Sequence, residues 1–379
     1  MEWALRDIPD LDFPDYDNKN GNLIMIFSDI FVQAKTGLKL SGLALAMASA
    51  QSWAIDAPNP DPNPSPDVPA TVGTCPDYSG VLNLPAFHGP EQKRFQRWQS
   101  RYWSGNHSPY HMVHDEIANP GESVTVVGKF DYSRTVHKDL EREYVHAYLY
   151  GTGLDDWQYL GKYRTDRDGK VSVPVAGKPA GEYIVRMVVE GDLSQADGFV
   201  SVVPQGQETV LFDIDGTLTL SDFEQVGDYL GASTAQSWGY AKETVQAYVD
   251  KGYRVIYVTG RPYWIARDTR EWFTKIIDLP QWHIRTNDDG GSPLSYETEA
   301  YKLAYLTSLQ QDKGLNIVRA YGNADTDITA FADSGIAKKE TWIIGEHAGA
   351  QGTQGIYGDY SGHYFDVVES TPNAACRTE

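Results

Sequence analysis

The sequence predicts an α/β fold, a doubly wound parallel sheet, preceded by an Ig-like antiparallel β-sandwich. Three observations predict it. From about Val124 to Val203, short runs of alternating apolar and polar residues follow one another between turn residues, the pattern of a sandwich. After Gln207 the rhythm becomes apolar strand, then helix, repeatedly, which calls for a parallel sheet covered on both faces. Ahead of both stands DAPNPDPNPSPDVP, starting at Asp56, whose prolines allow neither helix nor ladder and mark a linker.

The chain has 379 residues, 41% hydrophobic and 12% aromatic, enough for two packed domains. Lys and Arg total 32 against 52 Asp and Glu, a formal charge of -20. Such a chain repels nucleic acid and does not adhere broadly to anionic membrane, so an anionic substrate must be drawn in locally.

Taken in order, residues 1–50 read as a leader. Lys35 and Lys39, an apolar stretch from Leu40 to Ala48 and then Ala48-Ser49-Ala50 follow the grammar of a secretory signal over about 25–50, with Met25 as a candidate start; the alternative is a buried helix of small residues. The expected location is secreted or periplasmic, with a cytoplasmic or peripheral membrane protein as the alternative. Residues 51–80 form the linker and 81–118 a short helical or irregular segment. There Phe95, Trp98 and Tyr102 recur at helical spacing beside Arg94, Arg97 and Arg101, and the apolar stripe is expected to pack on its own domain, with a membrane surface as the second option. His107, His111 and His114 are also spaced for one helix face, but Pro109 interrupts it and structural histidines are expected rather than a zinc site.

The sandwich occupies 119–205, the α/β domain 206–350, and 351–379 is a tail. In the α/β part the expected strands are TVLFDI, YRVIYVT, WHIRT, NIVRAYG and TWIIG, with helices over AQSWGYAKETVQAYVDKG, PYWIARDTREWFTK and ETEAYKLAYLTSLQQDKG. Trp264, Trp272 and Trp282 are candidates for a greasy entrance, with core packing expected for at least two. The loop NDDGGSPLSYE is a candidate substrate loop or a solvated connection. Cys75 and Cys376 pair only in an oxidising compartment; the sequence leaves that open.

Two Asp-x-Asp-Gly motifs occur. Asp166, Asp168 and Gly169 separate two alternating strands and are expected in a hairpin turn. Asp213, Asp215 and Gly216 end an apolar strand, where α/β proteins place their chemistry. A carboxylate there, beside a hard cation that takes oxygen ligands, can attack phosphorus while its neighbour moves protons. Thr259-Gly260-Arg261 ends the next strand, Lys302 lies on a helix, and Gly322-Asn323-Ala324-Asp325-Thr326-Asp327 ends a further strand. Asp213, Asp215, Thr259 and Lys302 are thus the candidate catalytic residues, and Gly216, Thr217, Gly260 and Arg261 the candidate contacts to substrate. Asp213, Asp215, Asn323 and Asp327 are the candidate ligands of Mg²⁺.

These four segments, in this order, resemble the motifs of haloacid-dehalogenase-like phosphatases. DIDGTLTLSD and GNADTD are similar to the nucleophile and metal motifs of lipin-type phosphatidate phosphatases. From about His107 to Gly345, through NHSPYHMVHDEIANPGE, DDWQYLGKYRTDRDGKV, GYRVIYVTGRP and RAYGNADTDI, the chain resembles the C-terminal region of retinal-degeneration-B/Nir phosphatidylinositol transfer proteins. In those proteins the catalytic aspartates are degraded and the region is regarded as a phosphatidic-acid sensor, whereas Asp213, Asp215 and Asp327 are all present here. The resemblance implies a Mg²⁺-dependent phosphomonoesterase acting through an aspartyl-phosphate. Asp213 would be nucleophile, Asp215 acid and base, and Asp325 a doubtful member of the metal motif. Phosphatidic acid or a related phospholipid is the expected substrate, with peripheral membrane contact. The alternatives are an exported phosphatase of small soluble esters or nucleotides and a non-catalytic phosphatidic-acid-binding module.

Overall fold

The computed structural model describes residues 75–220, 235–279, 283–287 and 295–377. The expected leader, most of the linker, Trp282 and most of the NDDGGSPLSYE loop lie outside them. Among the described residues, no helix is long and apolar enough to cross a membrane.

Alternation builds the sandwich. In β8 (Lys170–Val175) Val171, Val173 and Val175 are buried while Ser172 and Pro174 face out, as a period of two demands. It lies with β1 (Met112–Val113) and β3 (Val124–Lys129) in one sheet, ordered β1-β3-β8. The other sheet takes β2 (Glu116–Ala118), β6 (Tyr144–Gly151), β7 (Gln158–Arg164), β9 (Gly181–Val189) and β10 (Gln195–Val202) in the order β2-β10-β9-β6-β7. Phe130, Val145, Leu149, Tyr183 and Met187 fill the space between them.

Three sequence expectations are corrected here. The segment before residue 119 is not irregular throughout, because it supplies β1 and β2, and β2 runs parallel to β10 in an otherwise antiparallel sheet. Asp166-Arg167-Asp168-Gly169 is a turn but not a hairpin: β7 and β8 belong to opposite sheets. Asp166 accepts the N–H groups of Asp168 and Lys170, and Gly169 adopts φ 68°, so the motif is satisfied by its own backbone. Third, helix α2 (Trp98–Asn106) forms, yet of the expected stripe only Phe95 packs on the domain. Trp98 is 74% and Tyr102 56% exposed, whereas Phe95 and Trp103 pack against the sandwich core. Glu143 explains the placement, since its buried carboxylate accepts N–H groups from Gln96 and Arg97 and pins the helix entry.

The three histidines do not converge. His107 stacks on Trp103, and His111 lies beside Ser194 with Nε2–Oγ at 2.8 Å. Burial pushes the His111 imidazole down to about 4, against a smaller upward pull from Asp192. A folded value below the unfolded one means the stability is present above about pH 6.5 and is lost as pH falls towards 4. The stability gap between wild type and His111→Gln, from urea unfolding at each pH, is expected to narrow by up to about 1.4 kcal/mol per pH unit across that window.

The α/β domain is a six-stranded, all-parallel sheet. Its strands are β11 (Glu208–Phe212), β12 (Arg254–Pro262), β13 (Ile284–Asn287), β14 (Asn316–Gly322), β15 (Thr341–Ile344) and β16 (Gln354–Ile356), ordered β13-β12-β11-β14-β15-β16. The chain winds outward from β11 to β13, returns to β14 beside β11, and then winds the other way. A crevice therefore opens between the carboxyl ends of β11 and β14. Both faces are covered: Phe212, Tyr248, Trp272 and Tyr321 lie in one core, and Leu211, Ile256, Leu306 and Phe331 in another. Trp272 is fully buried core rather than entrance.

Helix α3 (Ala241–Asp250) starts later than its periodicity suggests, because Tyr240 at φ 61° breaks the helix and leaves Trp238 in the preceding turn. Helix α4 (Ala266–Lys275) follows a 3₁₀ turn at Tyr263–Ile265. Helices α5 (Ser295–Gln311) and α6 (Asp325–Asp333) flank β14 in sequence. The segment expected as a tail is part of the domain: β16 extends the sheet, and Tyr360, Val368 and Ala374 join the core. A disulfide ties Cys376 to Cys75, just before α1 (Ser79–Leu82). Across a sequence separation of 301, the chain-entropy account gives it about 6 kcal/mol.

Buried polar groups brace the sandwich against the sheet. Arg254 on β12 donates to Glu182 on β9 and to Ser201 Oγ at 3.2 Å. Asp115 accepts from Phe199 N at 2.8 Å, Ile284 N at 2.7 Å and the Arg270 guanidinium.

Candidate active site

The crevice between β11 and β14 receives three of the four sequence segments at once. Asp213 follows β11 directly, and its backbone N–H donates to Tyr321 O at 2.9 Å, holding the loop against β14. Gly216 sits at φ 70°, and a Cβ there would lie 2.1 Å from Asn323 Nδ2, so only glycine lets the two loops meet. Thr217 is fully buried; its hydroxyl donates to Asp213 Oδ2 at 2.9 Å and lies 3.2 Å from Asn323 Oδ1. The loop is buttressed from outside by Trp238 Nε1, which donates to Gly216 O at 2.9 Å, and by the Tyr360 hydroxyl, which donates to Thr217 O at 3.0 Å.

Lys302, on α5, is buried and places its ammonium between two carboxylates: it donates to Asp213 Oδ1 at 2.7 Å and to Asp327 Oδ1 at 2.6 Å. The other oxygen of Asp327 accepts the N–H groups of Asn323 at 3.0 Å and Ala324 at 3.2 Å, the exposed donors at the start of α6, where a negative charge is favoured. One ammonium thus faces two buried carboxylates. Burial pushes the Asp213 carboxyl up to about 8; Lys302 pulls it back, while the charges of Asp327 and Asp215 push it further up. Burial alone would lower Lys302, but the two carboxylates outweigh that and raise it, so the ammonium stays charged.

Asp215 is held elsewhere. Arg261 grips both its oxygens, with Nε to Oδ2 at 2.8 Å and Nη2 to Oδ1 at 2.6 Å, and the Thr259 hydroxyl donates to Oδ2 at 3.2 Å. Arg261 is itself buried and donates to Thr269 Oγ1 at 2.8 Å. The three carboxylates expected around one cation do not share a partner here. Asp213 and Asp327 come together on Lys302, while Asp215 pairs with arginine because β12 ends on the opposite side of β11 from β14. Among the described residues no three His, Cys, Asp or Glu side chains form a ready metal cage. Arg261 and Thr217, expected on substrate, touch Asp215 and Asp213 here; Gly260 lies half-buried within β12 between Thr259 and Arg261. Asp325 faces outward, 3.4 Å from His347 Nδ1 and accepting from Gln351.

Mg²⁺ nevertheless fits the chemistry of the remaining donors. Asp213 and Asp327 offer carboxylate oxygens and Asn323 a neutral one, all hard ligands, and the negative charge in excess of Lys302 is buried where only a cation or a proton relieves it. Sequence reasoning missed the Arg261 clamp and the Trp238 and Tyr360 buttresses. A signal existed for Arg261, a charged residue inside an apolar strand end; none existed for Tyr360, which lies far along the chain.

Residues 210–345 match the family model described as PITM 1-3, LNS2 domain, and residues 109–202 match that of the PITM 1-3, beta-sandwich domain. The human membrane-associated phosphatidylinositol transfer protein 1 is 29% identical over 267 residues, which cover 69% of this chain and 20% of that protein. The Drosophila melanogaster protein retinal degeneration B is 28% identical over 268 residues, again 69% of this chain and 20% of the relative. The chain thus spans about a fifth of the length of these relatives. Among solved structures, a phospho-aspartyl intermediate analogue of phosphoserine phosphatase covers 37% of this chain and 87% of its own at 15% identity, with a TM-score of 0.27, too low to carry an argument. By sequence, then, the chain matches the PITM 1-3 β-sandwich and LNS2 domain models, in that order, and is similar to the membrane-associated phosphatidylinositol transfer proteins and to retinal degeneration B.

Proposed function

We propose that the chain is a Mg²⁺-dependent phosphomonoesterase acting on phosphatidic acid or a related phospholipid at a membrane surface. The observation that carries it is the buried Asp213–Lys302–Asp327 constellation at the crevice, intact in carboxylates and within reach of Thr217 and Asn323. The relatives' names, membrane-associated and phosphatidylinositol transfer, favour a phospholipid over a soluble ester and a peripheral membrane location. The Cys75–Cys376 disulfide supports an oxidising compartment.

In the mechanism Asp213 attacks phosphorus, the bond from phosphorus to the alcohol oxygen breaks, and Asp215 gives the leaving alcohol its proton. Water then attacks the aspartyl-phosphate, passing a proton to Asp215 and releasing phosphate and the Asp213 carboxylate. Thr217 orients Asp213 for attack, and Lys302 compensates the charge of the transferring group. Bound between Asp213, Asp327 and Asn323, Mg²⁺ would neutralise phosphoryl charge. Asp215 performs its role only when substrate draws it from the Arg261 clamp. That clamp favours one second reading, a module that binds phosphatidic acid without turnover.

A phosphate-release screen over phosphatidate vesicles, soluble esters and nucleotides, with and without Mg²⁺, separates the readings. Release from phosphatidate that requires Mg²⁺ and exceeds that from soluble esters is expected. Preference for soluble esters would reassign the substrate, and vesicle binding without release in any divalent metal would leave the binding module.

A further inference from the structure

The α2 face is an unusual surface for this chain. From Lys93 to Asn106 there are four basic residues and no acidic one, in a protein with a formal charge of -20. Trp98, Arg101 and Tyr102 fall three and four apart, so they share one side of the helix, and all three are exposed, as is Arg94 just ahead of it. The opposite side is already satisfied, with Trp103 on the sandwich core and Ser100 buried. The two acids beneath are consumed internally: Glu141 pairs with Arg97, and Glu143 is buried under the helix entry.

We propose that this face is where the chain sits on an anionic lipid bilayer. Indole and phenol rings lodge at headgroup depth with the apolar body inward and the polar edge in water, and Arg94 and Arg101 meet lipid phosphates. Because the chain as a whole carries a formal charge of -20, an anionic membrane favours contact through a basic patch of this kind. The surface also leads towards the Arg261 end of β12. Helix α2 lies beside the ribbon of β4 (Asp131–Tyr132) and β5 (Lys138–Asp139), sharing a small cleft with it. At the ribbon's tip Val136 is 60% exposed, and the adjoining His137 ring is 5.4 Å from that of Trp264, three residues beyond Arg261. The inference deepens the lipid-facing reading of the crevice, but its test does not depend on turnover.

The test is flotation of the full chain with phosphatidylcholine vesicles containing about a third phosphatidylserine and no phosphomonoester lipid, in about 0.1 M salt where charges are screened beyond about 10 Å. Binding is expected with phosphatidylserine and much less without it. Trp98→Ala/Tyr102→Ala and Arg94→Glu/Arg101→Glu should each bind at least tenfold more weakly, with unchanged circular dichroism and melting, whereas Asp213→Asn binds as wild type. Absence of binding by the wild type, binding as strong as wild type by either surface variant, or loss of binding in Asp213→Asn overturns the proposal. So does a dimer that Trp98→Ala dissolves, which would assign the face to a second copy. Failure of the phosphate-release screen leaves all these outcomes readable.

Discussion

Asp213→Asn is expected to reduce Mg²⁺-dependent phosphate release from phosphatidate vesicles at least about a thousandfold, since an amide cannot form the aspartyl-phosphate and removing a nucleophile removes the whole covalent path. The substitution keeps shape and leaves Thr217 a partner, so folding is expected to survive. Stability supplies an independent check. The Asp213 carboxyl holds its proton up to about pH 8 in the folded chain, above its ordinary value of 3.8, so its contribution is fully present below about 4 and is lost as pH rises through about 8. In chelator, Asp213→Asn should therefore gain stability relative to wild type as pH increases across that window. Undiminished turnover in the variant would remove Asp213 from the chemistry, and a pH-independent stability gap would show that its carboxyl is not held in this buried, repelled state.

Lys302→Met should have the second large effect, this time on folding. The ammonium is the shared partner of two buried carboxylates, and removing one member of a buried ion pair typically costs about 3–5 kcal/mol because the remaining charges stay desolvated. Urea unfolding followed by tryptophan fluorescence should show a loss of that order, with turnover abolished in whatever fraction folds. Adding Mg²⁺ should restore part of the stability by binding only the folded state. A loss below about 1 kcal/mol would mean that Lys302 faces no buried charge there.

Much of the site was legible because its parts are local. The strand NIVRAYG coincides with β14, since an apolar run stopped by Gly322 admits little else, and the motif after it must then sit at a carboxyl end. The pairing of Asp213 with Asp327 through Lys302 follows once β11 and β14 are neighbours. The partner of Asp215 was not legible, because Arg261 reads equally well as a phosphate contact, and only the side of β11 on which β12 lies decides between them. The exposure of Trp98 and Tyr102 was misjudged for a related reason. Periodicity says that a stripe shares one side of a helix, but not which side the neighbouring domain covers, and here Phe95, Trp103 and Glu143 take that place.

By itself the sequence determined the α/β-after-sandwich order and the placement of most candidate site residues at strand ends, because these depend on periods of two and about 3.6 residues and on contacts between near neighbours. Only the tertiary structure decided which carboxylates share a cation, that the final segment with Tyr360 and Cys376 buttresses the domain, and which aromatic face stays in water. Those outcomes turn on strand order and on groups more than a hundred residues apart, where the burial of a charge is a property of the assembled neighbourhood and not of any stretch of chain.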